Sequence, residues 1–342
     1  MDRIAQAGQE ERAELFRRSA VVLRPERSPA IIEKDFWVCW TLRRLYDVLR
    51  FRPRLIFKGG TSLSKVYDAI ERFSEDVDLS LSRRDLGFAD DRDPEEPGIS
   101  VKESQRRIEA LVAACREAIR SRLLPGLRVD FASALGAQGW SVELDAIDSQ
   151  TIIFTYPPSD LAGGLPEFLR PAIRLEMGAR SDDWPAEDRE IRPYAADAFS
   201  AAFSIAASCR VHALDARRTF WEKATLLHAE YHRPAQKAPA ERISRHYYDL
   251  YRLSQQEIGR QALERADLLE RVVMHKRLFF ASAWAHYETA IPGGLHLVPS
   301  EERISALRTD YARMREMIFG DAPPWEQIVQ GLRDLENRMN GR

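Results

Sequence analysis

Cysteine is scarce in this chain: three residues in 342, at positions 39, 115 and 209. They lie far apart among apolar neighbours. Neither a disulfide framework nor a zinc site follows from an odd, scattered set, and buried reduced thiols are expected. Long apolar runs are missing too, since no stretch approaches the roughly 18 residues of a membrane-spanning helix. The first residues, MDRIAQAGQEERAELFRR, are charged and lack the apolar centre of a signal peptide. A cytoplasmic protein without membrane association is therefore expected. Nor is there a surplus of charge: 51 Lys and Arg stand against 53 Asp and Glu, a formal net charge of −2. That balance does not exclude a polyanion bound to one face. Internal repeats, a G-x-S-x-G elbow and the kinase HRD and DFG sets are all absent. His228 and His232 are four apart, like a helical zinc pair, but no HExxH pattern or third ligand completes them, so a structural role is expected.

What is present is the composition of an ordinary globular protein, 44% hydrophobic and 30% charged, long enough for two domains. From Ala30 to Arg50, Val38, Leu42, Leu45 and Leu49 recur at helical spacing. RLIFKGG reads as a strand ending in a tight turn, and a helix with Leu63, Val66, Tyr67 and Ile70 on one face follows. SEDVDLSLS alternates as a half-buried strand, with Asp76, Asp78 and Ser80 on its polar side. An acidic loop spans 85–97 and a helix 100–122. GLRVDFAS, WSVELDAI, TIIFTYP and AIRLEMGAR then read as strands. After about residue 197 only helices are expected, with breaks at Arg233-Pro234, Pro292-Gly293-Gly294 and Pro323-Pro324. The pattern predicts an α+β protein: a mixed-sheet domain over 1–190 and an all-helical domain over 198–342, divided within the polar stretch 181–197.

Chemistry concentrates in FKGGTSLSKVYDAIERFSEDVDLSL, residues 57–81. Asp76 and Asp78 are alternate residues of one strand, so their carboxylates share a face about 7 Å apart along the chain. Two carboxylates so spaced can converge on a pair of metal ions, the clamp used in in-line phosphoryl displacement. The turn before the helix offers backbone N–H groups and a positive dipole end to phosphate oxygens. Gly59 and Gly60 permit close approach of a ligand, and Thr61 and Ser62 add hydroxyls. Lys58-Gly-Gly-Thr-Ser-Leu-Ser-Lys65 is not a P-loop, because no glycine directly precedes its lysine.

This segment resembles the active-site signature of the polymerase-β-like nucleotidyltransferase superfamily: an apolar residue, a Gly-Gly pair, a helix, then Asp-apolar-Asp-apolar. The chain more narrowly resembles the AbiEii/AbiGii toxin family. The likeness lies in IIEKDFWVCWTLRRLY (31–46), residues 57–81, IRLEMGAR (173–180), RTFWEKATLLHAEYHR (218–233) and RHYYDLYRL (245–253). The resemblance implies Asp76 and Asp78 as a metal-binding pair for Mg²⁺ or Mn²⁺, and Gly59, Gly60, Thr61 and Ser62 as the loop holding the NTP triphosphate. Lys223 fits a helical lysine on the nucleotide phosphates, and Asp249 a supporting or nucleotide-contacting carboxylate. Glu176 fits the third carboxylate, the proton acceptor for the attacking hydroxyl; from the residues alone Glu143, Asp145 and Asp148 are equal alternatives.

The implied activity is transfer of NMP from an NTP to an acceptor hydroxyl, at the 3′ end of tRNA, by a toxin controlled by a separately encoded antitoxin in toxin–antitoxin or abortive-infection defence. The alternatives are AMP transfer to protein and a non-catalytic nucleotide-binding module. Basic residues at helical spacing could present RNA-binding patches. They are Arg210, Arg217, Arg218 and Lys223; Arg242, Arg245, His246 and Arg252; and Arg271, His275, Lys276 and Arg277. Plain ion pairing along one helix face also accounts for Asp249 beside Arg242, Arg245 and Arg252. Lys34 and Asp35 read as a charged interruption of a helix and receive no role.

Overall fold

A computed structural model of the chain describes residues 1–161, 170–199, 207–237 and 240–342. Its N-terminal part begins with α1 (Asp2–Ala5), α2 (Gln9–Val22) and α3 (Pro29–Arg43). Ser28 caps α3 by accepting a hydrogen bond from the Ile31 amide at 3.3 Å, and Pro29 occupies the first turn, where its missing N–H costs nothing. Then come β1 (Leu55–Lys58), α4 (Gly59–Lys65), β2 (Asp76–Leu81), α5 (Val101–Ala118) and α6 (Leu124–Leu135). They are followed by β3 (Ser141–Leu144), β4 (Thr151–Thr155), β5 (Ala172–Gly178), β6 (Ala186–Ile191), α7 (Tyr194–Ala198) and β7 (Cys209–Leu214).

The strands form one mixed sheet in the order β3-β4-β5-β2-β1-β7-β6. Centrally, β1 is antiparallel to β2, whereas β2 runs parallel to β5 and β1 parallel to β7. Alternation sorts the two faces. Val77, Leu79, Ile173 and Leu175 are fully buried, while Asp76, Asp78, Arg174 and Glu176 between them are only half-buried. Around the buried side, Trp37 of α3 stacks on Tyr156 at 5.3 Å between ring centroids, and Trp40 meets Phe131 of α6 edge-on at 4.7 Å. Phe154 of β4 touches both tryptophans and Phe131. All three cysteines are free and buried, as their scatter implied.

Four expectations about local structure need correction. GLRVDFAS is helical, within α6, because Leu124, Leu127, Phe131 and Ala134 are the buried positions and they recur at helical, not strand, spacing. The helix after Gly-Gly stops at Lys65 and does not reach Ile70. The polar stretch 181–197 contains β6, an edge strand whose exposed charges disguise it. Residues after 197 are not helices only, since β7 continues the sheet beside β1.

The chain divides into two compact units, one of Met1–Val66 with Phe73–Leu214, the other of Tyr67–Arg72 with Asp215–Arg342. β7 keeps the chain in the sheet unit as far as Leu214. The second unit contains α8 (Ala216–Tyr231), α9 (Ser244–Ser254), α10 (Glu257–Leu263), α11 (Ala266–Phe279), α12 (Glu301–Met314) and α13 (Trp325–Met339). The short segment Tyr67–Arg72 is tied into it: the Phe319 amide donates to the Glu71 carbonyl at 2.8 Å, and the Gln256 side-chain amide donates to the Ala69 carbonyl at 2.9 Å. Within this unit His228 accepts from the His296 amide at its Nδ1 (3.2 Å), leaving Nε2 to donate to the His286 carbonyl (3.0 Å). Burial first, then neighbouring His232, His296 and His286, push its pKa down to about 4. His228 is thus a neutral core histidine. No helix among the described residues is long and apolar enough to cross a membrane.

Removing the central ring of the aromatic cluster should be costly. Trp37→Ala is expected to destabilise the sheet unit by about 3–5 kcal/mol, read from urea unfolding followed by circular dichroism. A loss below about 1 kcal/mol would mean that the cluster is not what holds α3 to the sheet.

Candidate active site

The half-buried positions of β2 and β5 are aligned by strand register. Asp76 lies opposite Arg174 and Asp78 opposite Glu176, while Lys58 of β1 flanks Asp78 and Thr151 of β4 flanks Glu176. Neighbouring strands lie about 4.8 Å apart, so three carboxylates occupy one small patch of the sheet. The crowding shows in Glu176, whose pKa is raised first by burial and then by Asp76 and Asp78, with Arg174 opposing. Arg174 reaches Glu176 at 3.5 Å and Asp145 at 3.0 Å.

The register also separates Glu176 from its alternatives. Asp145 accepts hydrogen bonds from the Ile147 and Asp148 amides as well as from Arg174, which hold its carboxyl below its ordinary range. Asp148 accepts from the Gln150 amide and the Thr151 hydroxyl. Both carboxylates build the β3–β4 turn. Glu143 sits on β3, three strands from β2 and so about 14 Å from Asp76. Only Glu176 among the four is in register with Asp78.

Gly59 has φ +77°, and a Cβ placed on it would overlap the Asp78 carboxylate. Glycine is needed on both counts. Burial differs among the four residues of this loop. Gly59 and Gly60 are partly open, but Thr61 and Ser62 are buried. The Thr61 hydroxyl donates to the carbonyls of Ser74, at 3.2 Å, and Asp76. It fastens the start of α4 to the start of β2 and is not presented to solvent. The Ser62 hydroxyl is buried without a hydrogen-bond partner.

Lys34 and Asp35, read as a mere interruption of a helix, instead secure this region from α3. Lys65 of α4 pairs with Asp35 at 2.8 Å and lies 3.7 Å from the centre of the Tyr194 ring, and the Tyr194 amide donates to Asp35 at 2.6 Å. Lys34 approaches Glu75, the residue before β2, at 3.6 Å. A Lys-Asp pair inside an otherwise apolar helix was the available signal, because charges are seldom buried without partners.

The helical unit gathers its own buried cluster. Asp249 of α9 is fully buried and accepts two hydrogen bonds from Arg72, at 2.7 and 2.8 Å, and one from Lys223 of α8, at 2.7 Å. Lys223 also lies 3.3 Å from Nδ1 of His246. Burial alone would raise the Asp249 carboxyl, but Arg72 and Lys223 reverse this and hold it well below the carboxylate range. Burial, followed by Lys223 and Arg245, depresses His246 strongly, so it is neutral and accepts from the lysine. Asp249 therefore does not form the expected pairs along its own helix; Arg252 binds Glu71 instead, at 2.9 Å. Arg72 was missed because Asp249, the carboxylate it binds, lies 177 residues away in the chain.

The basic patches are also less open than their spacing implied. Arg218 is fully buried and His275 nearly so. Arg217 is held by Asp215, the cap of α8, at 2.9 Å. Lys276 donates to the Glu222 carbonyl at 2.8 Å, and burial lowers its pKa to about 8. Arg242 and Arg245 are half-buried, whereas Arg210 and Arg277 are exposed.

Two outcomes follow from this geometry. Gly59→Ala should reduce nucleotidyl transfer at least ~100-fold, the scale of an ångström misplacement in a reacting group, for a stability cost of about 1–3 kcal/mol. A variant with normal turnover would break the link between Gly59 and Asp78. For Asp249 the depressed folded pKa means that its contribution to stability is present above the unfolded value near 3.9 and fades as pH falls below it. Asp249→Asn should therefore lose about 3–5 kcal/mol at neutral pH and show a flatter acid limb in a stability–pH profile. An unchanged acid limb would refute the assignment.

Comparison with known proteins gives an independent reading. No curated protein matches the chain. The solved structure of MenT4, a nucleotidyltransferase toxin of Mycobacterium tuberculosis H37Rv, overlaps 96% of this chain and 97% of its own at 16% identity, with a TM-score of 0.42, too loose an overlap to bear on function. A family model described as nucleotidyl transferase AbiEii toxin, type IV toxin–antitoxin system, matches residues 40–331. That span includes the Gly-Gly turn, the paired aspartates, Glu176 and the buried Lys223–Asp249 pair, so the chain belongs to the AbiEii family of NTP-dependent nucleotidyltransferase toxins, whose type IV systems pair each toxin with a separate antitoxin.

Proposed function

We propose that this toxin moves a nucleoside monophosphate from an NTP to the 3′-terminal hydroxyl of a tRNA, using the exposed face of β2 and β5. The observation that carries the reading is the register of Asp78 with Glu176, beside Asp76 and against the bare backbone of Gly59.

Among the described residues no three His, Cys, Asp or Glu side chains gather as a metal-binding group. The donor set nevertheless fits Mg²⁺, which is commonly held by one or two carboxylates with substrate phosphates and water completing its shell. Asp76 and Asp78 would hold it, and the crowding that raises Glu176 is the negative field a divalent cation relieves. When bound, the metal supplies charge neutralisation to the triphosphate and the departing pyrophosphate. Asp76 and Asp78 fix that charge in position. Glu176 accepts the proton of the attacking hydroxyl, its raised pKa making it a better base than an ordinary carboxylate. Arg174, bound to Asp145, keeps Glu176 oriented and limits how far its pKa rises. Gly59 and Gly60 present backbone to the triphosphate. Lys223 is the cation we assign to the nucleotide phosphates, and Asp249 and His246 hold it.

RNA as acceptor rests on the family resemblance. It is tested by incubating the protein with each labelled NTP, Mg²⁺ and either total RNA or total protein. Label on tRNA supports the reading, whereas label on protein alone replaces it with protein AMP transfer. Asp76→Ala or Asp78→Ala should lower transfer at least ~10³-fold without unfolding the chain, and near-normal activity of the double variant at saturating Mg²⁺ would remove the mechanism. Glu176→Gln should slow single-turnover transfer with NTP affinity nearly intact, while Lys223→Met should weaken NTP binding. Normal turnover of Glu176→Gln would move the base elsewhere.

A further inference from the structure

At the opposite end of β1 from Lys58, about 10 Å along the strand, the sheet unit opens into a cavity of ≈ 460 Å³. Its walls come from the π-helical turn Arg44–Val48, the loop leading to Leu55, and strands β6 and β7. The parallel pairing of Phe57 with Ala213 puts Arg54 and Arg210 level with one another, each three residues earlier in its chain segment. Arg50 lines the same space. Among the described residues, none of these three guanidinium groups lies within 4.0 Å of a carboxylate, and Arg50 donates to the Asp47 carbonyl, at 3.3 Å. Glu190 faces Arg210 across the β6–β7 ladder but makes no ion pair with it. Arg52 is drawn off by Asp85 at 3.6 Å, and Asp188 by His212 at 2.7 Å. Phe51 adds an aromatic side chain to the lining.

Guanidinium groups without carboxylates are matched to phosphate oxygens. The aromatic ring of Phe51 offers a stacking surface for a base, and the volume lies within the range of small-ligand sites. We propose that this cavity binds phosphate carried by a nucleotide, either free or as a unit of an RNA strand, at a site separate from the Asp76–Asp78 face. The arginines hold the phosphate, and Asp47 and Asp188 limit the affinity, so the site takes an anion without trapping it.

The test is titration calorimetry at low salt in EDTA, which silences metal-dependent binding, with inorganic pyrophosphate and a uridine hexamer as probes. Arg54→Gln combined with Arg210→Gln should weaken binding ~10-fold or more, as loss of charge-assisted hydrogen bonds requires. Asp188→Asn should tighten it about 2–5-fold, a gain that a misfolded variant cannot produce. A response with pyrophosphate assigns the site to free nucleotides. A response with the hexamer alone assigns it to a strand, and the salt slope should then fall by roughly 0.7 per contact removed. The inference is overturned if the unaltered protein binds neither probe, or if these substitutions leave both affinities unchanged. Asp76→Ala with Asp78→Ala should leave this binding intact, so its outcome is independent of the transfer mechanism.

Discussion

The missing side chain at Gly59 is the constraint on which the candidate site depends. A β-carbon there would occupy the space of the Asp78 carboxylate, and Asp78 is the residue that the sheet brings level with Glu176. The carboxylate patch therefore requires that the backbone of the adjoining turn pass unusually close to it. Such an approach is useful only if the turn cannot drift. Three anchors hold it: the Thr61 hydroxyl on the carbonyls of Ser74 and Asp76, the Lys65–Asp35 pair, and the Lys34–Glu75 pair. Two of the three reach back to α3, and α3 is fixed in turn by its tryptophans among Phe131, Phe154 and Tyr156. The apolar core is thus connected to the polar face by a few buried charges, which accept the cost of desolvation because each has a partner.

Charge is arranged differently in the two units. On the sheet, acidic groups are left crowded, with Arg174 the neighbour that opposes the rise in Glu176. In the helical unit a single carboxylate, Asp249, carries two cations in full burial. The first arrangement is suited to receiving positive charge and protons. The second is suited to keeping Lys223 at one position, since neutral His246 accepts from the lysine without competing for its proton.

How much of this could be read from the sequence depended on the range of the interaction. Asp76 and Asp78 were legible because period-two alternation fixes a shared face without any knowledge of the neighbours. Gly59 was legible as a turn, though not as the neighbour of Asp78. Glu176 could not be preferred over Asp145 or Asp148, because the choice turns on the β2–β5 register and on the turn amides that saturate the other two. The helix at Leu124–Leu135 was mistaken for a strand because GLRVDFAS alternates over a few residues while its helical repeat runs longer. β6 and β7 were overlooked: one is a charged edge strand within the polar stretch 181–197, and the other lies after residue 197, where only helices are expected from the sequence. Arg218 and His275, taken as surface cations from helical spacing, are buried, since spacing shows which residues share a face and not which way the face is turned.

The path of the chain between α4 and β2 has a consequence for how such a protein can change. Six residues, Tyr67–Arg72, leave the sheet unit and belong to the helical one before the chain returns for the paired aspartates. The helical half is therefore not an appendage joined by one linker. Deleting everything after Leu214 would take away the partners of Glu71 and Arg72, Asp249 among them, and leave a loose, charged loop between the Gly-Gly helix and the strand that bears Asp76. Recombination that exchanged one C-terminal half for another would have to replace this insert at the same time. In this chain, then, a single junction after Leu214 does not separate one unit cleanly from the other.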